Sequence, residues 1–504
     1  MAPPSDSEMA PRRSGGLARA ILLLAIAGGC EADSVLRGRS EDVAASALDP
    51  PTPAPVTTAT AAAESAIAAP TPFVSAPPIA SSIASVMSAE ASAEGSASAA
   101  PATEGVDPLV VTLERQTVNK DFSQSPFYFT AAFDGSLRYS LWLRALEFAR
   151  AMKAKHGKAP HLTFFVNAAF YTTQPGKSDV GKAMSRAEVL VRRALTQQAI
   201  NEGHDIGDHG MGHLDGRTWD KARWLEEIDR FRGTMSQQLF VPILDGEGQP
   251  VFPKFQPLPD AESRATGAAC ETNADCTSGQ CLRLTEATRV CTQPCNLKQH
   301  CPTGSACGAP MFRQDTDVCI PLPAFPVELD GKTLFNDKGE PNRKHPRLVP
   351  YSIVGYRAPY LAANDALYEA LAERGYLYDT SQSASPGPPF YFLSREKGRK
   401  ILQFALMLYP GGRTIPMDYN YARLKVPGTR MKNDYESAVL SAYSMGRLPW
   451  NVGHHFAMWE DGAYLDALES TVDMVLGGCP DAAGALRCEG GEVVSFRELA
   501  QRMQ

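Results

Sequence analysis

Apolar residues alternate between two spacings along the chain, and that alternation predicts its architecture. SPFYFTAAFDGS is a nearly continuous apolar run that ends in Asp134 and Gly135, as a buried strand would. LRYSLWLRALEFARAMKAKHG then places Leu141, Leu143, Ala145, Leu146, Phe148, Ala149 and Met152 at helical spacing. HLTFFVNAAF reads as a second strand. SRAEVLVRRALTQQAINEG reads as a helix, with Ser185 as N-cap and Glu188 three residues on. HDIGDHGMGH follows, then an amphipathic helix from about Trp219 to Leu239. The pattern stops near residue 241. It resumes near residue 350 with LVPYSIVGYRAPY, the helix NDALYEALAERG and the strand YLYDTS. Strands alternating with helices predict an α/β fold with a parallel sheet or barrel, and the periodic segments total roughly 300 residues, enough for one barrel-type domain.

The flanks are of another kind. Arg12, Arg13 and Arg19 precede an apolar run from Leu17 to Ala27, too short to span a bilayer at about 20 residues. Small residues then lead to Cys30, so residues 1–30 resemble a bacterial lipoprotein signal, with Cys30 as the acylated residue. Residues 31–108 are dominated by Ala, Pro, Ser and Thr, and no Lys or Arg occurs between residues 41 and 114. Such a composition cannot offset its ordering entropy and predicts a flexible spacer. The expected location is extracytoplasmic, anchored by lipid at the cell envelope. The expected partition continues with a first barrel part at 109–240, an insert at 241–345, a second barrel part at 346–478 and a tail at 479–504.

Eight of the eleven Cys lie between Cys270 and Cys319, in two four-Cys units of similar spacing. With an export signal and no CxxC pair, disulfides are favoured over zinc; the pairing stays open. Cys479 and Cys488 are expected to tie down the tail. A net charge of -7 excludes a chain built to coat nucleic acid.

Candidate chemistry gathers where the predicted strands end. His209 and His213, four residues apart, can share one divalent ion, which would need a third ligand and an open position for water. GHDIGDHGMGH is similar to the second motif of the polysaccharide deacetylase (NodB-homology) superfamily, whose usual form is GHEIGNH followed by a second His. HLTFFV resembles the family's second strand. GYRAPYLAANDALYEALAERGYLYDTS resembles its RxPY motif, and VGHHF its terminal hydrophobic-x-His motif. The resemblance spans about residues 125–475 and implies a distorted (β/α)7-type barrel. It also implies metal-dependent deacetylation of an N-acetylated surface or cell-wall polysaccharide, most simply with Zn²⁺. Carried over, His209 and His213 are metal ligands and the Tyr360 N–H meets the oxyanion. Arg357 orients a carboxylate, and His454, with His455 as second choice, is the general acid. Trp459 is a candidate sugar platform. The first motif departs from the family's TFDDG, since AAFDGS carries one carboxylate. Either Asp134 is the metal ligand and Phe133 replaces the base, or Asp134 is the base and Gly135 replaces the ligand. The need of Arg357 for an anionic partner favours the second. A barrel weakened in this way could instead bind glycan without hydrolysing it. Asp379 and Asp418 are candidates for the family's Asp-Trp segment. His204 and Asp205, and Tyr376 and Tyr378, read as structural.

Overall fold

The computed structural model describes residues 111–504, apart from 181–182, 297, 309–315, 397, 409–413, 458, 481–483, 486 and the side chain of Glu460. The signal segment, Cys30 and the spacer fall outside the described residues.

Seven strands form a parallel array: β1 (Tyr128–Asp134), β2 (Thr163–Val166), β3 (Asp205–Asp208), β4 (Gly355–Tyr356), β5 (Tyr378–Asp379), β6 (Lys400–Gln403) and β7 (Trp450–His455). Their lateral order is β7-β1-β2-β3-β4-β5-β6, so the chain lays each strand beside the last and returns to β1 with the seventh. Beyond β6 the antiparallel strand Phe390–Leu393 and then Arg115–Thr117 extend the edge. Among the described residues, no ladder joins β6 to β7. The gap is spanned by one parallel bridge, Met417 to Gly453, and by the Asn451 side-chain amide donating to the Ala405 carbonyl at 2.8 Å. The architecture is therefore an α/β sheet curled into an incomplete barrel.

Helices α1 (Tyr139–His156), α2 (Arg186–Asn201), α3 (Lys221–Met235) and α4 (Asp365–Glu373) follow β1 to β4. Helices α5 (Asp418–Arg423) and α6 (Gly428–Ser444) precede β7, and α7 (Ala463–Leu476) follows it. α2 starts at the capping box read from sequence, Ser185 with Glu188. Strand alternation divides the core in two. Phe129 and Phe133 of β1 pack outward with Trp142 and Phe164, while Tyr128 and Ala132 face inward with Phe165, Tyr378 and Phe404. The C-terminal segment also belongs to this core: Glu492–Val493 pairs with β1, and Phe496 of α8 (Phe496–Arg502) fills the inner cluster.

The Cys-rich insert contains four disulfides, Cys270–Cys281, Cys276–Cys291, Cys295–Cys307 and Cys301–Cys319. Each four-Cys unit thus pairs first with third and second with fourth, so the spacing repeat is a structural repeat. Cys479–Cys488 closes a further loop. Loops of this size, 9 to 18 residues apart in sequence, stabilise by roughly 3 kcal/mol each through the unfolded state. Five disulfides in one chain are the pattern of an extracytoplasmic protein. Among the described residues, no helix is long and apolar enough to cross a membrane.

Candidate active site

The C-terminal ends of the strands bring together residues far apart in sequence. Asp134 is the last residue of β1, and its position shares the inward face with Tyr128, Thr130 and Ala132. There its Oδ1 accepts from Arg357 Nη1 at 2.8 Å. The two side chains are 2% and 0% exposed. Arg357 is held further by Nε donating to Thr380 Oγ1 at 2.7 Å and by its guanidinium lying 4.5 Å from the Phe165 ring centre. Phe133 points the other way, against Phe164 and Phe456.

His209 follows β3. Its Nδ1 lies 2.8 Å from the Arg357 carbonyl oxygen, which fixes Nδ1 as the protonated nitrogen and leaves a lone pair on Nε2. That Nε2 is buried without a hydrogen-bond partner, and so is Nδ1 of His213. The two ring centres lie 5.0 Å apart. Burial lowers the proton affinity of both imidazoles, keeping them neutral and able to donate lone pairs. These are the properties a divalent ion needs of its ligands. A compact third donor is another matter. Among the described residues, groups of three His, Cys, Asp or Glu ligand atoms within 4.8 Å of one another consist of cysteines, all of them disulfide-bonded. Asp134, His209 and His213 do not close into such a group. Gly135 has φ +85°, and a Cβ built there would meet nothing within 4 Å.

The turn carrying both imidazoles is built around two carboxylates that the sequence reading passed over. Asp208 Oδ1 accepts from the Gly210 N–H at 2.7 Å, and burial pushes its pKa up to about 8. Glu227, buried on α3, accepts from the N–H groups of Met211 at 2.8 Å and Gly212 at 3.1 Å. Thus one side chain holds the chain where His213 takes a left-handed φ of 57°. Asp208 had a signal, its place beside His209; Glu227, 14 residues beyond His213, had none. Replacing Glu227 with Ala strands two buried donors and is expected to cost about 2–4 kcal/mol. Urea denaturation measures it, and an unchanged midpoint would refute the bracing role.

Of the two neighbouring imidazoles in VGHHF, the structure puts the second at the interior. His454 shares its face with Trp450 and Val452 and packs outward against Phe133 and Tyr435, where burial holds it down at about 4. His455 lies on the face of Asn451 and Gly453, and the Gly453 position is so close to Arg357 that a Cβ would come within 3.2 Å of Nη1. Its Nδ1 is 2.7 Å from Asp418 Oδ1, and its N–H donates to Asp418 Oδ2 at 2.8 Å. His454 Nδ1 lies 3.7 Å from Asp418 Oδ2, so Asp418 stands beside both imidazoles of the motif. Trp459 packs 5.4 Å from the His455 ring, with Tyr419 5.9 Å from Trp459. Tyr360, at φ 58° in the turn after β4, sets its ring 4.6 Å from that of His213.

Asp379 is tied to Ser381 and Tyr368 rather than to either imidazole of β7, which leaves Asp418 as the partner. His204 accepts from the Leu162 N–H through Nδ1, and Asp205 accepts from Tyr351, Tyr378 and Arg497; both sit at the start of β3, away from the strand ends.

Comparison with solved structures yields distant likenesses. One is a protein from Mycobacterium smegmatis assigned as a polysaccharide deacetylase, at TM-score 0.38 and 12% identity over 75% of this chain and 89% of that one. Another is the Xyl-CE4 domain of a multidomain xylanase from the hindgut metagenome of Trinervitermes trinervoides, at TM-score 0.31 and 8% identity over 75% and 91%. A protein from Pseudomonas aeruginosa PAO1 assigned as a polysaccharide deacetylase is a further likeness, at TM-score 0.37 and 11% identity over 75% and 90%. Puue allantoinase, at TM-score 0.37 and 10% identity over 74% and 89%, stands among them too. Likenesses at this level define neither reaction nor substrate. No family model and no curated protein matches the chain.

Proposed function

We propose that the chain is a metal-dependent deacetylase acting on an N-acetylated surface or cell-wall polysaccharide. The observation that carries this reading is the buried Asp134–Arg357 pair standing at the same strand ends as two unpartnered imidazole nitrogens, those of His209 and His213. His209 and His213 would hold the cation, most simply Zn²⁺. When bound, such an ion polarises an acetyl carbonyl and acidifies water.

The remaining roles belong to the chain. Asp134, paired with Arg357, serves as base toward the attacking water. His455, its Nδ1 held by Asp418, delivers a proton to the leaving amine through Nε2. The Tyr360 N–H, on a turn strained into the left-handed region, is the donor toward the developing oxyanion. Trp459 and Tyr419 offer aromatic surface beside His455 for a sugar ring. A lipid on Cys30 and the spacer after it would carry the domain at the envelope surface.

Acetate release from acetylated chito-oligosaccharide, measured beside bound metal, tests the reading. Release that disappears with metal in His209→Ala supports it; glycan binding with no acetate under any added metal points to a binding module instead. The two β7 imidazoles separate further: His455→Ala is expected to lower kcat by about 10²–10³-fold. His454→Asn is expected to change kcat less than a few-fold and to act on stability. Equal losses of kcat would overturn the assignment of the acid.

A further inference from the structure

The Cys-rich insert reaches the segment that follows Asp134. Helix α1 begins at Tyr139 with no side-chain cap of its own from Arg138. Its cap comes instead from the insert. Asp317 Oδ2 accepts from the Tyr139 N–H and Oδ1 from the Ser140 N–H, both at 2.8 Å, across about 178 residues of sequence. Asp317 is 1% exposed, so this carboxylate is buried against the helix end.

A second tie lies beside the first. Arg192, fully buried on α2, donates through Nε to the Ser136 carbonyl at 2.9 Å and through Nη2 to the Leu137 carbonyl at 2.9 Å. The same Nη2 reaches the Gly308 carbonyl of the insert at 3.4 Å. A Cβ at Gly308 would come within 2.3 Å of Asp317 Oδ2 and 2.7 Å of the Tyr139 ring, so only glycine allows this approach. Both contact points are set by disulfides of the second Cys unit. Gly308 follows Cys307, bonded to Cys295, and Asp317 lies two residues before Cys319, bonded to Cys301; Cys307 and Cys319 face each other in one ladder.

We infer that the second Cys unit of the insert is a positioning element for the candidate active site, and that Asp317 is its contact residue. It fixes residues 135–140, and through them the end of β1 where Asp134 stands. The barrel holds the start of this segment, through Arg192, through Trp142 Nε1 donating to the Ser136 carbonyl at 3.2 Å and through the Gly135 N–H donating to the Phe165 carbonyl, whereas the N–H groups of Tyr139 and Ser140 at its end go to Asp317. The first Cys unit does not make these contacts and serves as the internal control. The inference rests on the deacetylase reading only for its catalytic consequence; the positioning itself is read independently.

The test uses the full chain with Asp317→Ala, Asp317→Asn, and the paired change Cys270→Ser with Cys281→Ser in the first unit. Asp317→Ala is expected to lower kcat for acetate release at least tenfold, with KM within about threefold. Asp317→Asn, which keeps one acceptor oxygen, is expected to restore most of the loss. The first-unit variant is expected to lower Tm while leaving kcat unchanged. Amide hydrogen exchange supplies the readout that needs no activity. Tyr139, Ser140 and the segment before them should exchange at least tenfold faster in Asp317→Ala, with α6 and α7 unaffected. Unchanged exchange there overturns the inference whether or not the wild type releases acetate. So does faster exchange at 135–140 with wild-type kcat, in a chain whose wild type is active. A wild type that releases no acetate counts against the deacetylase reading alone, and exchange then decides the positioning.

Discussion

Asp134→Asn is expected to reduce acetate release by about 10²–10⁴-fold, the range for loss of a general base, and to lower stability less than removal of Arg357, since the buried guanidinium loses its counter-charge but keeps a hydrogen-bonded oxygen. Asn keeps an oxygen for Arg357 Nη1, which now approaches Oδ1 at 2.8 Å, so the pair loses charge but not its contact. Steady-state kinetics beside urea denaturation check both halves. A variant with wild-type kcat would remove Asp134 from the chemistry, and a variant that fails to fold would make the residue a structural one.

Arg357→Ala is expected to act on stability first. It removes the cation from a pair whose side chains are 0% and 2% exposed, leaving a carboxylate buried without compensation. Such breakage costs about 3–5 kcal/mol. The Thr380 hydroxyl, which accepts from Nε, loses its partner, and the Phe165 ring loses the cation lying 4.5 Å from its centre. Arg357→Lys restores charge but not the two-point fork, so it should recover only part of the loss. Denaturant midpoints of the two variants measure this; equal midpoints with the wild type would show that the pair adds nothing.

The contrast between these two substitutions follows from where each residue sits. Asp134 ends a strand whose sequence, SPFYFTAAFDGS, is plainly a buried strand, and its inward direction follows from a period of two shared with Tyr128 and Ala132. The same arithmetic was available at β7. In WNVGHH, Trp450 and Val452 share parity with His454, and those apolar residues mark the outer face. The imidazole left for the interior is then His455. The hydrophobic-x-His resemblance points to the earlier residue, and alternation puts the later one on the opposite face of the strand.

Other parts of the site had no local signal. Glu227 reads in sequence as one more acid on an amphipathic helix, yet its carboxylate holds two N–H groups of the turn that carries His213. Asp317 reads as a loop acid of a Cys-rich module, yet it caps α1. Each acquires its role from a contact made across a long stretch of chain, which no spacing rule encodes.

The amino-acid order by itself determined the elements: the alternation of strand and helix, the place of the insert, the capping of α2, and the cluster of acids and imidazoles at strand ends. These depend on periods of two and 3.6 residues and on short motifs, all local along the chain. Only the tertiary structure decided that Asp134 belongs to Arg357, that Asp418 holds His455, that each Cys unit pairs first with third and second with fourth, and that the C-terminal helix completes the core. Those outcomes rest on which distant groups become neighbours once the sheet has curled, and burial makes a pairing such as Asp134 with Arg357 costly to break.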